Sequence, residues 1–89
     1  MQREERIYER KAAAQDGKQL RLEYYRLETP DENTTRFGAA IRCASDGCED
    51  YAALPDITSS PERIDRLLTI LADGAVTPVS LREIVEDWL

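Results

Sequence analysis

The sequence predicts an α+β fold: an antiparallel β-meander of three or four strands over about residues 4–55, then a C-terminal two-helix hairpin over about residues 60–89, packed on one sheet face. Three observations carry that expectation. Two Asp-Gly dipeptides, Asp16-Gly17 and Asp46-Gly47, punctuate the first half between strand-like runs. A type I′ hairpin turn needs positive φ at both central positions, which Asp-Gly supplies. The runs beside them alternate with period two. The last third instead repeats its apolar residues at helical spacing, between recognisable caps. Residues 1–89 read as one domain.

The N-terminal stretch allows two readings. Arg3 to Gln15 is rich in helix formers, including Ala12, Ala13 and Ala14, yet has no apolar stripe. With a two-residue turn at Asp16-Gly17, Arg10 falls opposite Glu23 and Tyr8 opposite Tyr25. Both are favourable cross-strand pairs, so a strand is favoured over a helix. Next, Leu20, Leu22 and Tyr24 alternate with Arg21 and Glu23. Thr29 to Thr35 is polar and carries Pro30, as a connecting loop does. Phe37, Ala39, Ile41 and Cys43 then share one strand face, and Tyr51 to Leu54 forms a short last strand. Pro55 is expected to end it, because proline has no N–H to donate.

Ser59, Ser60, Pro61 and Glu62 signal a helix start, with capping-box spacing from Ser59 to Glu62. Ile64, Leu67, Leu68 and Leu71 form its apolar stripe. Gly74 fits the left-handed position that closes a helix, with Val76 as the hydrophobic closure. The second helix starts either at Thr77-Pro78 or at the competing Ser80/Glu83 box, and Leu81, Ile84, Val85 and Trp88 repeat the stripe. These eight apolar residues should pack on Leu20, Leu22, Tyr24, Phe37, Ala39 and Ile41.

The chemistry-bearing inventory is thin. The chain has no histidine, so the usual base for a serine or cysteine nucleophile is missing. Two cysteines without histidine cannot complete a four-ligand zinc site. Around Asp46-Gly47, Cys43 falls opposite Asp50 and Cys48 opposite Ser45, a diagonal placement poor for a disulfide. Glu49-Asp50 and Glu86-Asp87 diverge, in a strand and in a helix respectively. No Gly-rich phosphate loop is present. No catalytic residue, cofactor or metal site is expected.

Charge narrows the partners. The net charge is −6. Residues 1–44 are nearly balanced, with nine basic and eight acidic residues, whereas residues 45–89 hold three basic and ten acidic. An acidic half repels phosphate backbones and anionic membranes. The segment from Gly74 to Arg82 resembles the turn and recognition-helix start of bacterial repressors. Its polar face, however, offers Glu83, Glu86 and Asp87 against Arg82. No apolar run approaches the ~18 residues of a membrane span, and the N-terminus lacks the apolar stretch of a signal peptide. A cytoplasmic setting with reduced thiols is expected.

Four residues stand out as a candidate interaction surface: Trp88, Leu89, Tyr25 and Tyr51. Trp88 lies one residue from the end, so it is either pinned into the core or part of an interface. The leading expectation is a non-enzymatic protein-interaction module, with self-association as one form. Two alternatives are a transcription-associated helix-turn-helix-like regulator, or an acidic partner of one, and a small enzyme with an inter-subunit site.

Leu22-Glu23-Tyr24-Tyr25, Asp56-Ile57-Thr58 and the run from Thr77 to Leu89 also carry a family resemblance. Over roughly residues 20–89 the chain resembles a family of small proteins from Clostridia-type Firmicutes, classed as a domain of unknown function. The resemblance implies a bacterial, gut-associated source and no assigned activity.

Overall fold

A computed structural model describes residues 2–13, 16–45 and 47–89. Four strands form a single antiparallel sheet: β1 (Arg3–Ala13), β2 (Gln19–Pro30), β3 (Thr35–Ser45) and β4 (Cys48–Thr58). They lie in chain order, so the topology is a meander. Helix α1 (Pro61–Asp73), a 3₁₀ turn (Pro78–Ser80) and helix α2 (Leu81–Trp88) follow and pack against the sheet. This is the α+β architecture that the period-two and helical patterns anticipate. Ala14, Gln15 and Asp46 lie outside the described residues, so the helix-former run is described to Ala13 and the second Asp-Gly only at Gly47.

The N-terminal ambiguity resolves as a strand, but in a different register. Tyr8 pairs with Tyr24, Glu9 with Glu23 and Arg10 with Leu22. The connection from Ala13 to Gln19 is longer than a two-residue turn, which slips the pairing by one. Gly17 takes φ +83°, and Asp16 Oδ1 accepts from the Lys18 N–H, so this is an Asx-type turn. A one-residue slip changes the face of every side chain. Arg10 therefore lies on the helix side and donates to the Ala72 carbonyl oxygen at 3.0 Å. Between Arg6 and Tyr8 the register shifts again, with Ile7 as the extra residue of a β-bulge.

The second hairpin keeps its expected register, with Cys43 opposite Asp50 and Ser45 opposite Cys48. Strand β4, however, does not stop at Pro55. It continues to Thr58 because Pro55 falls in a bulge on an edge strand, where a missing N–H costs no ladder bond.

The helix signals hold with shifted details. Ser60, not Ser59, caps α1, accepting from the Arg63 N–H at 3.3 Å, and Pro61 takes the first helical position. The closing turn is a Schellman motif: Val76 N–H donates to Leu71 O and Ala75 N–H to Ala72 O. Its left-handed residue is Ala75, at φ +48°, whereas Gly74 stays right-handed at φ −84°. A Cβ disfavours that conformation by roughly 1 kcal/mol. Ala75→Gly should therefore stabilise the fold by up to about 1 kcal/mol, read as a higher urea midpoint with unchanged slope. Both expected starts of the second helix appear in sequence, the 3₁₀ turn after Thr77 and then α2 after Ser80. Neither Thr77 nor Ser80 makes a side-chain cap hydrogen bond, however, so the expected Ser80/Glu83 box does not form.

The core lies between the helices and one sheet face. Leu22, Tyr24, Phe37, Ala39 and Ile41 meet Ile64, Leu67, Leu68, Leu71, Leu81 and Val85, with Ile84 and Trp88 packed at the margin. Leu20 is only half-buried and lies outside this cluster. Helix α1 ends level with the Arg10–Leu22 pair, so Leu20 falls beyond its cover.

Candidate functional site

Among the described residues no other element covers the face away from the helices, and its own side chains build its surface. Alternation along β2 turns Glu23, Tyr25 and Leu27 to this side, opposite Arg42, Ala40 and Gly38 of β3. Small residues make a low floor, over which longer side chains from the edges lie. Tyr51 of β4 donates its hydroxyl to Glu4 Oε2 of β1 at 3.1 Å, a bond between the two edge strands. Beneath this cover, Leu27 and Ala40 are fully buried.

Glu23 is the centre of the arrangement. It is 4% exposed, and an isolated buried carboxylate would be costly. Register also sets it opposite Glu9, a like charge. Arg6 resolves both problems. Its Nη1 donates to Glu23 Oε2 at 2.7 Å and to Glu9 Oε2 at 3.2 Å. Arg21 adds a second guanidinium at 3.9 Å from Glu23. The Arg6 hydrogen bond holds the Glu23 carboxyl below the usual carboxylate range, against the upward push of burial. Burial is also the main cause that raises the Tyr25 and Tyr51 hydroxyls.

This dependence can be measured. Arg6→Ala should lower the urea midpoint at pH 7. Glu23 titrates lower in the folded chain than its ordinary value of 4.5, so its contribution is present above that pH and lost as pH falls through the folded value. The variant lacks the main cause of that lowering. The gap between the two proteins should therefore narrow below about pH 4.5. A gap independent of pH would show that Arg6 acts by packing alone.

The structure separates the four candidate residues into two groups. Tyr25 and Tyr51 share the open face, where Tyr51 is 50% exposed and Tyr25 is half-buried. Trp88 and Leu89 lie on the helix side. Trp88 packs against the core margin and carries the Arg63 guanidinium 4.6 Å from its ring centroid. That contact joins the start of α1 to the end of α2, as in an antiparallel hairpin. Leu89 is 66% exposed, at the rim of a shallow groove between β4 and α2 lined by Leu54, Ile57 and Val85.

Sequence reasoning missed Glu23 and Arg6 as site residues. The signal was there: a glutamate in mid-strand on β2, with arginines two residues before and three after it. Glu49 and Asp50 diverge as expected. Glu49 faces Arg42 on the open side, and Asp50 faces Cys43 on the other. Both cysteines are free, and burial pushes the Cys43 thiol up, away from reactive thiolate. Among the described residues, no group of three or more His, Cys, Asp or Glu is placed to hold a metal ion. Among them, too, no helix is long and apolar enough to cross a membrane. The open face thus offers fixed charges, hydrogen-bonding groups and the partly exposed rings of Tyr51 and Tyr25.

Comparison with known proteins found no match among curated proteins and none among solved structures. One family model, described as "Family of unknown function (DUF6514)", matches residues 3–89. That span runs from the first residue of β1 to the end of the chain, taking in every strand and helix, and the chain belongs to the DUF6514 family of unknown function.

Proposed function

We propose that this chain is a non-enzymatic, cytoplasmic interaction module that associates with other protein, itself included. The observation that carries this reading is the open sheet face. Among the described residues no element covers it, yet its side chains are fixed by hydrogen bonds into a surface that carries the half-exposed Tyr51. Tyrosine and arginine are enriched at protein interfaces, and pre-ordered side chains lower the entropic cost of binding. Nucleic-acid binding through the helix-turn-helix-like segment is disfavoured, because Glu83, Glu86 and Asp87 are exposed along α2 and would oppose phosphate. The resemblance to proteins of Clostridia-type Firmicutes adds a bacterial setting.

Sedimentation velocity across a concentration range tests the self-association. A dimer fraction that grows into the micromolar range is the expected result. A strict monomer at several hundred micromolar would remove self-association from the proposal.

A further inference from the structure

We infer that β1 pairs with β1 of a second copy, antiparallel about a two-fold axis between Ile7 and Tyr8, joining two sheets into one of eight strands. The inference rests on the self-association proposed above and names its surface. Strand β1 is a sheet edge, is exposed along almost all of its length and contains no proline. The opposite edge, β4, is flanked by the 3₁₀ turn and α2 and interrupted at Pro55.

The order of charges on β1 selects the partner. Glu4-Glu5-Arg6-Ile7 is followed by Tyr8-Glu9-Arg10-Lys11. Read outward from the midpoint, each charge in one half meets its opposite in the other. Antiparallel self-pairing about that midpoint sets Glu4 against Lys11, Glu5 against Arg10 and Arg6 against Glu9, each pair occurring twice by symmetry. Ile7 meets Tyr8. Shifting the axis to Ile7 would oppose Glu5 to Glu9, and shifting it to Tyr8 would oppose Arg6 to Arg10. Because the strand is bulged at Ile7, the two members of each of these pairs lie on opposite sheet faces, which a ladder cannot pair, so one register is selected.

The bulge makes this register possible. Partners across an antiparallel ladder must share a sheet face. In a regular strand, residues whose numbers differ in parity point to opposite faces, and every pair above differs in parity. The extra residue at Ile7 reverses that relation halfway along β1. Before it, Glu4 and Arg6 lie on the open face, bonded to Tyr51 and Glu23. After it, Glu9 and Lys11 lie there too, opposite Glu23 and Arg21. On the helix face, Glu5 lies 3.6 Å from Arg26, and Arg10 reaches α1. Every proposed pair therefore shares a face. Charges and bulges on an edge usually ward off pairing. Here the bulge brings complementary charges onto common faces.

The test is a charge swap followed by sedimentation velocity, with circular dichroism to confirm folding. Glu4→Lys/Glu5→Lys leaves all four outer positions of β1 basic, and Arg10→Glu/Lys11→Glu leaves them acidic. Each variant alone should dimerise about a hundredfold more weakly than the parent. An equimolar mixture should recover near-parental affinity as a heterodimer. Should a double variant fail to fold, Glu4→Lys and Lys11→Glu, alone and mixed, give the same comparison with a loss of about tenfold. A parent that dimerises while the variants still self-associate equally well would overturn this interface and leave self-association standing. A mixture that stays monomeric would also overturn it, and a monomeric parent would remove both this interface and the self-association on which it rests.

Discussion

Gly38→Ala is expected to cost about 3 kcal/mol or more, a large part of the stability of a domain of this size. Gly38 lies in β3 where Phe37 pairs with Thr58 and Ala39 already pairs with Leu54. Pro55, Asp56 and Ile57 thus stand against this one residue, and β4 bends over it. A Cβ at Gly38 would meet the Leu54 carbonyl oxygen and lie 2.5 Å from the Pro55 Cα and carbonyl carbon. All three atoms are backbone, so no rotamer change makes room. Either the bulge opens, or β3 and β4 separate near the cap of α1. Gly47→Ala is the control. Gly47 has φ +72° but open space around its Cβ position, so it carries backbone strain of about 1 kcal/mol without a clash. Urea denaturation of both variants checks the contrast. Equal losses would mean that conformational strain, not close approach, governs both sites.

The same bulge marks where sequence reasoning stops being sufficient. The helical stripe from Ile64 to Leu71 and the alternation from Leu20 to Tyr24 are local patterns, and the structure keeps both. The register around Gly47 was legible because a two-residue turn fixes it, and it brings Tyr51 level with Arg42 on the open face. The β1–β2 register was not legible, because the turn at Gly17 is longer and Ile7 adds a bulge that no residue type announces. That error set Arg10 against Glu23 and so hid the pairing of Arg6 with Glu23. Pro55 misled for a related reason: a proline stops a ladder bond, not a strand whose outer edge is already unpaired. Local periodicity thus specifies the layers. Close approach of distant segments, as at Gly38, decides which polar residues meet.

Raising the pH from about 10 to about 12 should weaken the fold by up to about 3 kcal/mol through Tyr24 alone. Tyr24 is fully buried in the centre of the sheet, and its hydroxyl donates to the Val76 carbonyl oxygen at 2.9 Å. Val76 follows the left-handed Ala75, so this bond ties β2 to the turn that launches the second helix. Burial pushes the hydroxyl from its ordinary 10 up to about 12, with Arg10 opposing the shift. Below pH 10 both folded and unfolded chains hold the proton, and the contribution of Tyr24 is fully present. Between 10 and 12 the unfolded chain loses it while the folded chain keeps it, so stability falls with rising pH. Tyr24→Phe should cost about 1–2 kcal/mol at pH 7, because the Val76 carbonyl loses its donor. Its stability should then fall less steeply in alkali than that of the parent. Tyr25 and Tyr51, also raised by burial, contribute to both curves and cancel in the difference. Urea midpoints at intervals from pH 8 to 12 give the comparison, and parallel curves would show that Tyr24 ionises as readily folded as unfolded. Convergence would place the proton of a single hydroxyl among the groups that hold the helix pair on the sheet.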